Sequence, residues 1–390
     1  MRNKLDIQCF IEQHSDWEKL LSEKPYCITV SREKWNGLSL LMLKYNQVDS
    51  NFNFKLVREC RGIIFNENTL EPVSYPFNKF GNKFGNDMEG GWVDDIDWKD
   101  HPYVLEKLDG SLMKVAKVDG QLLVSTNGTI LASKAMLNDV IGCKLKSYED
   151  LFWWTLEKQF GKDMHNSLLD ILDEGFTYMF ELCTNYNRVV VPHPDPRVYF
   201  IGVRDNKTFE ETFIMDHPLS NVFPTPRVYE FKTFDDCIAA AKDLPWDDEG
   251  YVVTSRDFKR NKVKSIAYLA AHHLSNNHCL SYSRALDLVR LNEIDEVCSY
   301  FEEFRPALEE CKSRFWKLIE DTEHAWNEYL KVDPSLPTRK EKALWITKNF
   351  KMPGIAFGLL DGKIKSVQDF FMETPSHKLL RALGYKEEKQ

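Results

Sequence analysis

The stretch YVLEKLDGSLMKVAKVDGQLLVST, Tyr103 to Thr126, constrains the fold more tightly than any other part of the chain. Two runs, LMKVAKV and QLLVST, flank Asp119-Gly120, a pair that tolerates positive φ at both central positions and so closes a two-residue type I′ hairpin. A third run, YVLE, ends just before Lys107, and a second Asp-Gly pair follows that lysine. A lysine between a strand end and a turn is either a solvated turn residue or a nucleophile. The K-x-D-G pattern does not separate the two, because it arises by chance in roughly one chain in ten of this length.

Further β-branched and aromatic runs predict strands at 61–65 (RGIIF), 177–182 (TYMFEL), 197–204 (RVYFIGVR), 250–254 (GYVVT) and 262–266 (KVKSI). Leu and aromatic residues at helical spacing predict a helix over 146–160. From about Leu269 the strand signal fades. Phe301, Phe304, Leu308, Phe315, Leu318, Trp326 and Tyr329 then recur at three- and four-residue steps, which reads as a helix core stripe rather than a base-stacking platform. Pro334 and Pro337 interrupt this pattern, and RKEKALWITKNF resumes it. NKFGNKFGN, 78–86, reads as a Gly-Asn loop. The chain of 390 residues exceeds what one core ordinarily organises. The expectation is an α+β domain with antiparallel sheets over 1–268, followed by an all-helical C-terminal domain over 269–390.

Nine cysteines occur without a C-x-x-C pair, so neither a zinc ribbon nor a disulfide framework is expected. The opening MRNKLDIQCF has no apolar segment, and no run of 18 apolar residues occurs anywhere, so a cytoplasmic protein without membrane contact is expected, in a host cytoplasm if a virus encodes it. A net charge of −9 speaks against a general nucleic-acid coat. Locally, SRDFKRNKVKS at 255–265 carries five basic side chains and one acidic, which suits a defined polyphosphate contact or a solvated basic edge strand.

If Lys107 attacked the α-phosphate of a nucleotide, it would form a phosphoramidate and release pyrophosphate. Such chemistry needs a neutral amine, cations on the phosphates and a carboxylate nearby. Glu249 opens EGYVVT, and Lys262 and Lys264 follow two residues apart, on one face of a strand. Two ammonium groups there call for an anion between them. Glu181 lies inside an apolar strand, where its carboxylate needs a partner; Arg188 and Arg204 are the structural candidates. Arg61 precedes Lys107 by 46 residues, and Lys79 sits in PFNKFGN. KIKS at 363–366 repeats the KVKS pattern but lacks a preceding EGYV strand, so it reads as a solvated turn. His272, His273 and His278 are poorly spaced for zinc, and no G-x-x-x-x-G-K-[ST] loop is present.

The ordered set ECRG, P-x-x-KF-x-N, K-x-DGS, FE…NRVV, EGYV and K-x-KS resembles the ATP-dependent RNA ligase 1 family, the tRNA-repair ligases of T-even phages, over roughly residues 40–275. The resemblance implies a nucleotidyltransferase (ligase adenylylation) domain in which Lys107 becomes adenylylated. It assigns Arg61 and Lys79 to the nucleotide phosphates, Glu181 to the ribose hydroxyls and Glu249 to metal and phosphate activation. Lys262 and Lys264 fall to the α-phosphate and leaving pyrophosphate, and Tyr45 to a nucleotide contact. ATP is the implied substrate, with Mg2+ as metal and Mn2+ as its substitute. Asp295 is the nearest match to a divalent-cation ligand of the helical domain. Asn127 stands where the family often has a basic residue. The implied partner is RNA with 5′-phosphate and 3′-hydroxyl ends, tRNA being favoured, alongside a separate end-healing kinase/phosphatase. Two alternatives stay open: another covalent nucleotidyltransferase (a DNA ligase or capping guanylyltransferase), and an RNA-binding protein without catalysis.

Overall fold

The computed structural model describes residues 4–82, 93–137, 140, 142–161, 164–275, 280–292, 294–298 and 301–385. Packing divides the chain into two units, Met1–Asn138 with Cys143–Cys279, and Asp139–Gly142 with Leu280–Gln390.

The first unit holds the strands. In chain order these are β1 (Ile28–Trp35), β2 (Leu38–Tyr45), β3 (Arg61–Asn66), β4 (Pro72–Ser74), β5 (Gly81–Asn82), β6 (Tyr103–Glu106) and β7 (Ser111–Val118). There follow β8 (Gln121–Thr126), β9 (Phe176–Cys183), β10 (Arg197–Asp205), β11 (Glu211–Thr212), β12 (Val228–Tyr229), β13 (Gly250–Thr254) and β14 (Arg260–Lys264). Its helices are α1 (Asp6–Gln13), α2 (Trp17–Ser22), α3 (Lys55–Glu59), α4 (Tyr148–Phe160), α5 (Met164–Ile171), α6 (Phe234–Lys242) and α7 (Ile266–Ser275).

Three sheets form, in the orders β1-β2-β3-β4, β11-β10-β9-β7-β8 and β12-β6-β13-β14-β5. All pairs are antiparallel except β14 with β5. The turn residues set the hairpins: Asp119 and Gly120 have φ +49° and +71°, and Asn36 and Gly37 have +47° and +83° between β1 and β2. Alternation then sorts the faces. On β7, Met113 and Val115 pack with Tyr178 and Phe180 of β9 against Leu151, Phe152 and Leu156 of α4. A capping box of Ser147 and Asp150 starts that helix. On β8, Leu123 turns to the opposite side and meets Leu40, Met42 and Ile64, which joins the first two sheets. Each such buried large side chain contributes about 1.5–3 kcal/mol of transfer free energy. In the third sheet, Val104, Val253 and Val263 pack against Cys237 and Ala241 of α6.

The predicted strand at 262–266 lies instead at 260–264. Ser265 leaves the ladder because its N–H donates to the Glu249 carbonyl and its hydroxyl accepts from the Tyr268 N–H, which opens α7. Helix therefore begins at Ile266, within the first unit, and the packing division falls at Cys279/Leu280. Nor is β14 an edge strand, since it lies between β13 and β5.

The described elements of the second unit are helical: α8 (Tyr282–Leu291), α9 (Ile294–Cys298), α10 (Arg305–Val332), α11 (Arg339–Asn349), α12 (Pro353–Leu360), α13 (Val367–Glu373) and α14 (Ser376–Leu379), with short 3-10 turns. The aromatic stripe is core, with Phe301, Leu308, Phe315 and Tyr329 fully buried. Lys363 of the KIKS segment is exposed and pairs with Asp361, and Ser366 caps α13, so this segment is a turn. No helix of the described residues is long and apolar enough to cross a membrane.

Candidate active site

Lys107 follows β6, and its backbone N–H donates to the Gly250 carbonyl at 2.8 Å, which fixes the strand end beside the start of β13. The next residues do not make a free hairpin turn. Asp109 is buried, and its Oδ2 accepts the N–H groups of Val190 and Val191 at 2.7 and 2.6 Å. Its Oδ1 accepts the Tyr268 hydroxyl at 3.1 Å, and its carbonyl lies 2.6 Å from His193 Nε2. Burial pushes the Asp109 carboxyl up to about 6. A Cβ on Gly110 would come within 2.5 Å of the Leu182 carbonyl, so only glycine lets the loop close on β9. The K-x-D-G motif is thus a clamp that presents Lys107.

Glu249 stands opposite. Its Oε2 accepts from Lys107 Nζ at 2.7 Å, and its Oε1 lies 3.2 Å from Lys264 Nζ. Gly250, at φ +133°, lets the backbone turn into β13 directly after this carboxylate. Register places Gly250 across from Lys264. Burial opposes the Glu249 charge, but the two lysines outweigh it and hold the carboxyl below its ordinary value. Burial likewise opposes charge on Lys107, and the Glu249 carboxylate bonded to it outweighs that, so the ammonium is held above its ordinary range. An attacking lysine would have to be easier to deprotonate; the site does the reverse, because the charge nearest Lys107 is an anion. Lys262 shares the Lys264 face of β14, two residues away.

A cavity of about 280 Å3 opens on one side of Lys107, lined also by Glu181, Arg61, Asn127, Ile201 and Val252. A second opening, lined by Glu249, Lys264 and Tyr268, meets it at Lys107 and Glu181. Glu181 has neither of its expected arginine partners: Arg204 pairs with Glu211, and Arg188 Nε donates to the Val190 carbonyl. Burial raises the Glu181 carboxyl to about 8, with Lys107 lowering it and Glu249 raising it. Burial thus favours its protonated form, which can donate as well as accept.

Tyr45 and Lys79 come together elsewhere. Lys79 Nζ lies 5.8 Å from the Tyr45 ring and 5.1 Å from that of Phe52, and Lys79 lines a separate cleft of about 720 Å3. That cleft borders the first cavity through Phe80, Phe258 and Arg260. Asp295, in the second unit, is exposed and pairs with Arg305 at 2.9 Å. His272 lines the second opening, whereas His278 and the His273 side chain lie outside the described residues. Among the described residues, no three His, Cys, Asp or Glu side chains form a metal-type group. Sequence reasoning missed Tyr268, His193 and the buried Arg204–Glu211–Arg260 set. Tyr268 follows Lys264 by four residues, a spacing that alone carries no chemistry.

The sequence profile of a family described as RNA ligase matches residues 59–268, more than half of the chain. A putative bifunctional polynucleotide kinase/RNA ligase of Autographa californica nuclear polyhedrosis virus is 27% identical over 277 residues, 69% of this chain and 38% of that protein. The chain thus spans well under half the length of that relative. A putative RNA ligase of Thermovibrio ammonificans is 26% identical over 303 residues, 75% of this chain and 73% of that one. Among solved structures, an archaeal ATP-dependent RNA ligase aligns over 97% of this chain and 90% of its own at 12% identity, with a TM-score of 0.43.

Proposed function

The chain belongs to the RNA ligase family, and we propose that it seals RNA ends with ATP through a lysyl-AMP intermediate. The observation that carries the reading is the meeting of Lys107, Glu249 and Lys264 within 2.7 and 3.2 Å at the junction of two openings that Glu181 also lines. In step one, Lys107 Nζ attacks the α-phosphorus of ATP, forming a P–N bond as pyrophosphate leaves. In step two, the 5′-phosphate of RNA takes the AMP and frees the lysine. In step three, a 3′-hydroxyl attacks that activated phosphate, forming the phosphodiester as AMP leaves.

The Lys107–Glu249 bridge must open before attack, and the amine must lose its proton. Lys262 and Lys264 hold the transferring phosphate, and Arg61 holds the nucleotide from the far wall. Lys79, with Tyr45, serves the outer phosphates or the RNA from the adjoining cleft. Glu181, protonated at neutral pH, exchanges hydrogen bonds with the ribose. Glu249 would be the carboxylate to hold a divalent cation, Mg2+ or Mn2+, beside the phosphates, and that cation would supply charge neutralisation there. The first unit, expected from the sequence over 1–268, is the adenylyltransferase domain; the helical unit from Leu280 presents structured RNA, tRNA being the favoured substrate, in the cytoplasm. A separate kinase/phosphatase prepares the ends.

The test is incubation with α-labelled ATP and Mg2+, without RNA, followed by a denaturing gel, for wild type and K107A. A labelled band lost in K107A is expected. No label in AMP-free wild type would favour an RNA-binding protein without catalysis, and label persisting in K107A would mean another nucleophile.

A further inference from the structure

Lys114 sits in the middle of β7, and its side chain is fully buried. It lies on the face opposite Met113 and Val115, so it points away from the α4 core. Leu112, on the same face, lines the Lys107 cavity. Lys114 Nζ donates to the carbonyl of Gly62. Gly62 has φ +77°, and a Cβ there would come within 2.5 Å of the Asn127 carbonyl, so the Arg61–Gly62 bend is pressed against the end of the hairpin. Around this bend, Arg61 Nη1, Asn127 Oδ1 and Ser125 Oγ are buried with no hydrogen-bond partner among the described residues. Arg61 and Asn127 both line the cavity.

A buried lysine in a strand is costly, and an aliphatic side chain would fill the same space at lower cost. Its hydrogen bond to Gly62 goes to the residue next to Arg61. Resting on the ligase reading above, we propose that Lys114 is a positioning residue of the nucleotide site, acting through the Gly62 carbonyl to aim the Arg61 guanidinium at the bound nucleotide. The unpartnered Arg61 Nη1 is the donor so aimed. Burial, with Arg61 adding like-charge repulsion, brings the Lys114 ammonium down to about 7, which eases its burial.

The test compares wild type, K114M, R61Q and the double variant in lysyl-AMP formation over a range of ATP concentrations, with thermal midpoints measured alongside. K114M is expected to keep its midpoint within a few degrees while its KM for ATP rises about tenfold, with the rate at saturating ATP nearly unchanged. In the R61Q background the same substitution should add less than about twofold, because its target is already gone. An equal effect in both backgrounds would overturn the inference. So would a large fall in midpoint with KM and rate changing together, which marks a structural role only. A wild type that forms no lysyl-AMP would overturn the ligase reading and this inference with it; wild-type label with an additive cycle overturns the inference alone.

Discussion

Glu181 gives the sharpest physical test of the site, because its carboxyl is raised to about 8 mainly by burial. In the unfolded chain it titrates near 4.5. Between those two values the folded protein keeps a proton that the unfolded chain has released, so stability falls as pH rises, by about 1.4 kcal/mol per pH step. Integrated to pH 8, the loss reaches about 5 kcal/mol. E181Q keeps the shape and the neutral amide but cannot ionise. The two proteins should therefore unfold at similar temperatures at pH 5, and the variant should become the more stable as pH rises. Above pH 8 the advantage should level off at about 10 °C for a unit of this size. Differential scanning fluorimetry at pH 5 to 9 reads this directly, and the difference between variants cancels titrations the two share. Parallel curves across the range would refute the claim that Glu181 is a neutral acid at pH 7. A variant less stable at high pH would mean that the carboxylate has a cationic partner.

Two further substitutions test the frame that holds the site. G62A forces a Cβ to within 2.5 Å of the Asn127 carbonyl at φ +77°; a loss of at least about 2 kcal/mol is expected in thermal unfolding, and an unchanged midpoint would show that the hairpin end yields. E211Q removes the charge that Arg204 and Arg260 share, with all three side chains nearly buried; breaking such a set costs about 3–5 kcal/mol, and a midpoint shift below about 2 °C would show that water reaches the arginines.

The sequence made the local geometry legible where one residue type has one reason to be present. Asp119-Gly120 closed its hairpin as expected, and the antiparallel β8-β7-β9 ladder followed. Asn36-Gly37 carries the same signal, but the run that follows it, with Leu40–Leu43 buried in succession, is one that periodicity alone does not separate from helix. Ser265 ended β14 two residues earlier than its apolar pattern suggested, through hydrogen bonds to a residue sixteen positions back. Long-range contacts of that kind, including the Asp109 clamp on Val190 and Val191, leave no periodic trace.

The charge logic of the site was legible in part, and the remainder turns on one contact. Lys262 and Lys264, two apart on one strand face, call for an anion between them. In the structure Glu249 pairs with one of the two, Lys264, and bridges it to Lys107 instead. With Glu181 protonated, that acid, Glu249, Lys107 and Lys264 sum to one positive charge. A site so arranged carries net positive charge and attracts an anion. On the ligase reading proposed above, a phosphate engaging Lys264 would leave Glu249 with Lys107 alone, and the carboxylate that stabilises the ammonium would become the nearest acceptor for its proton. The contact that holds Lys107 charged would then be the one that discharges it. On this account E249Q should leave nucleotide binding largely intact while slowing lysyl-AMP formation at saturating ATP, and an equal loss in both would remove Glu249 from the proton path.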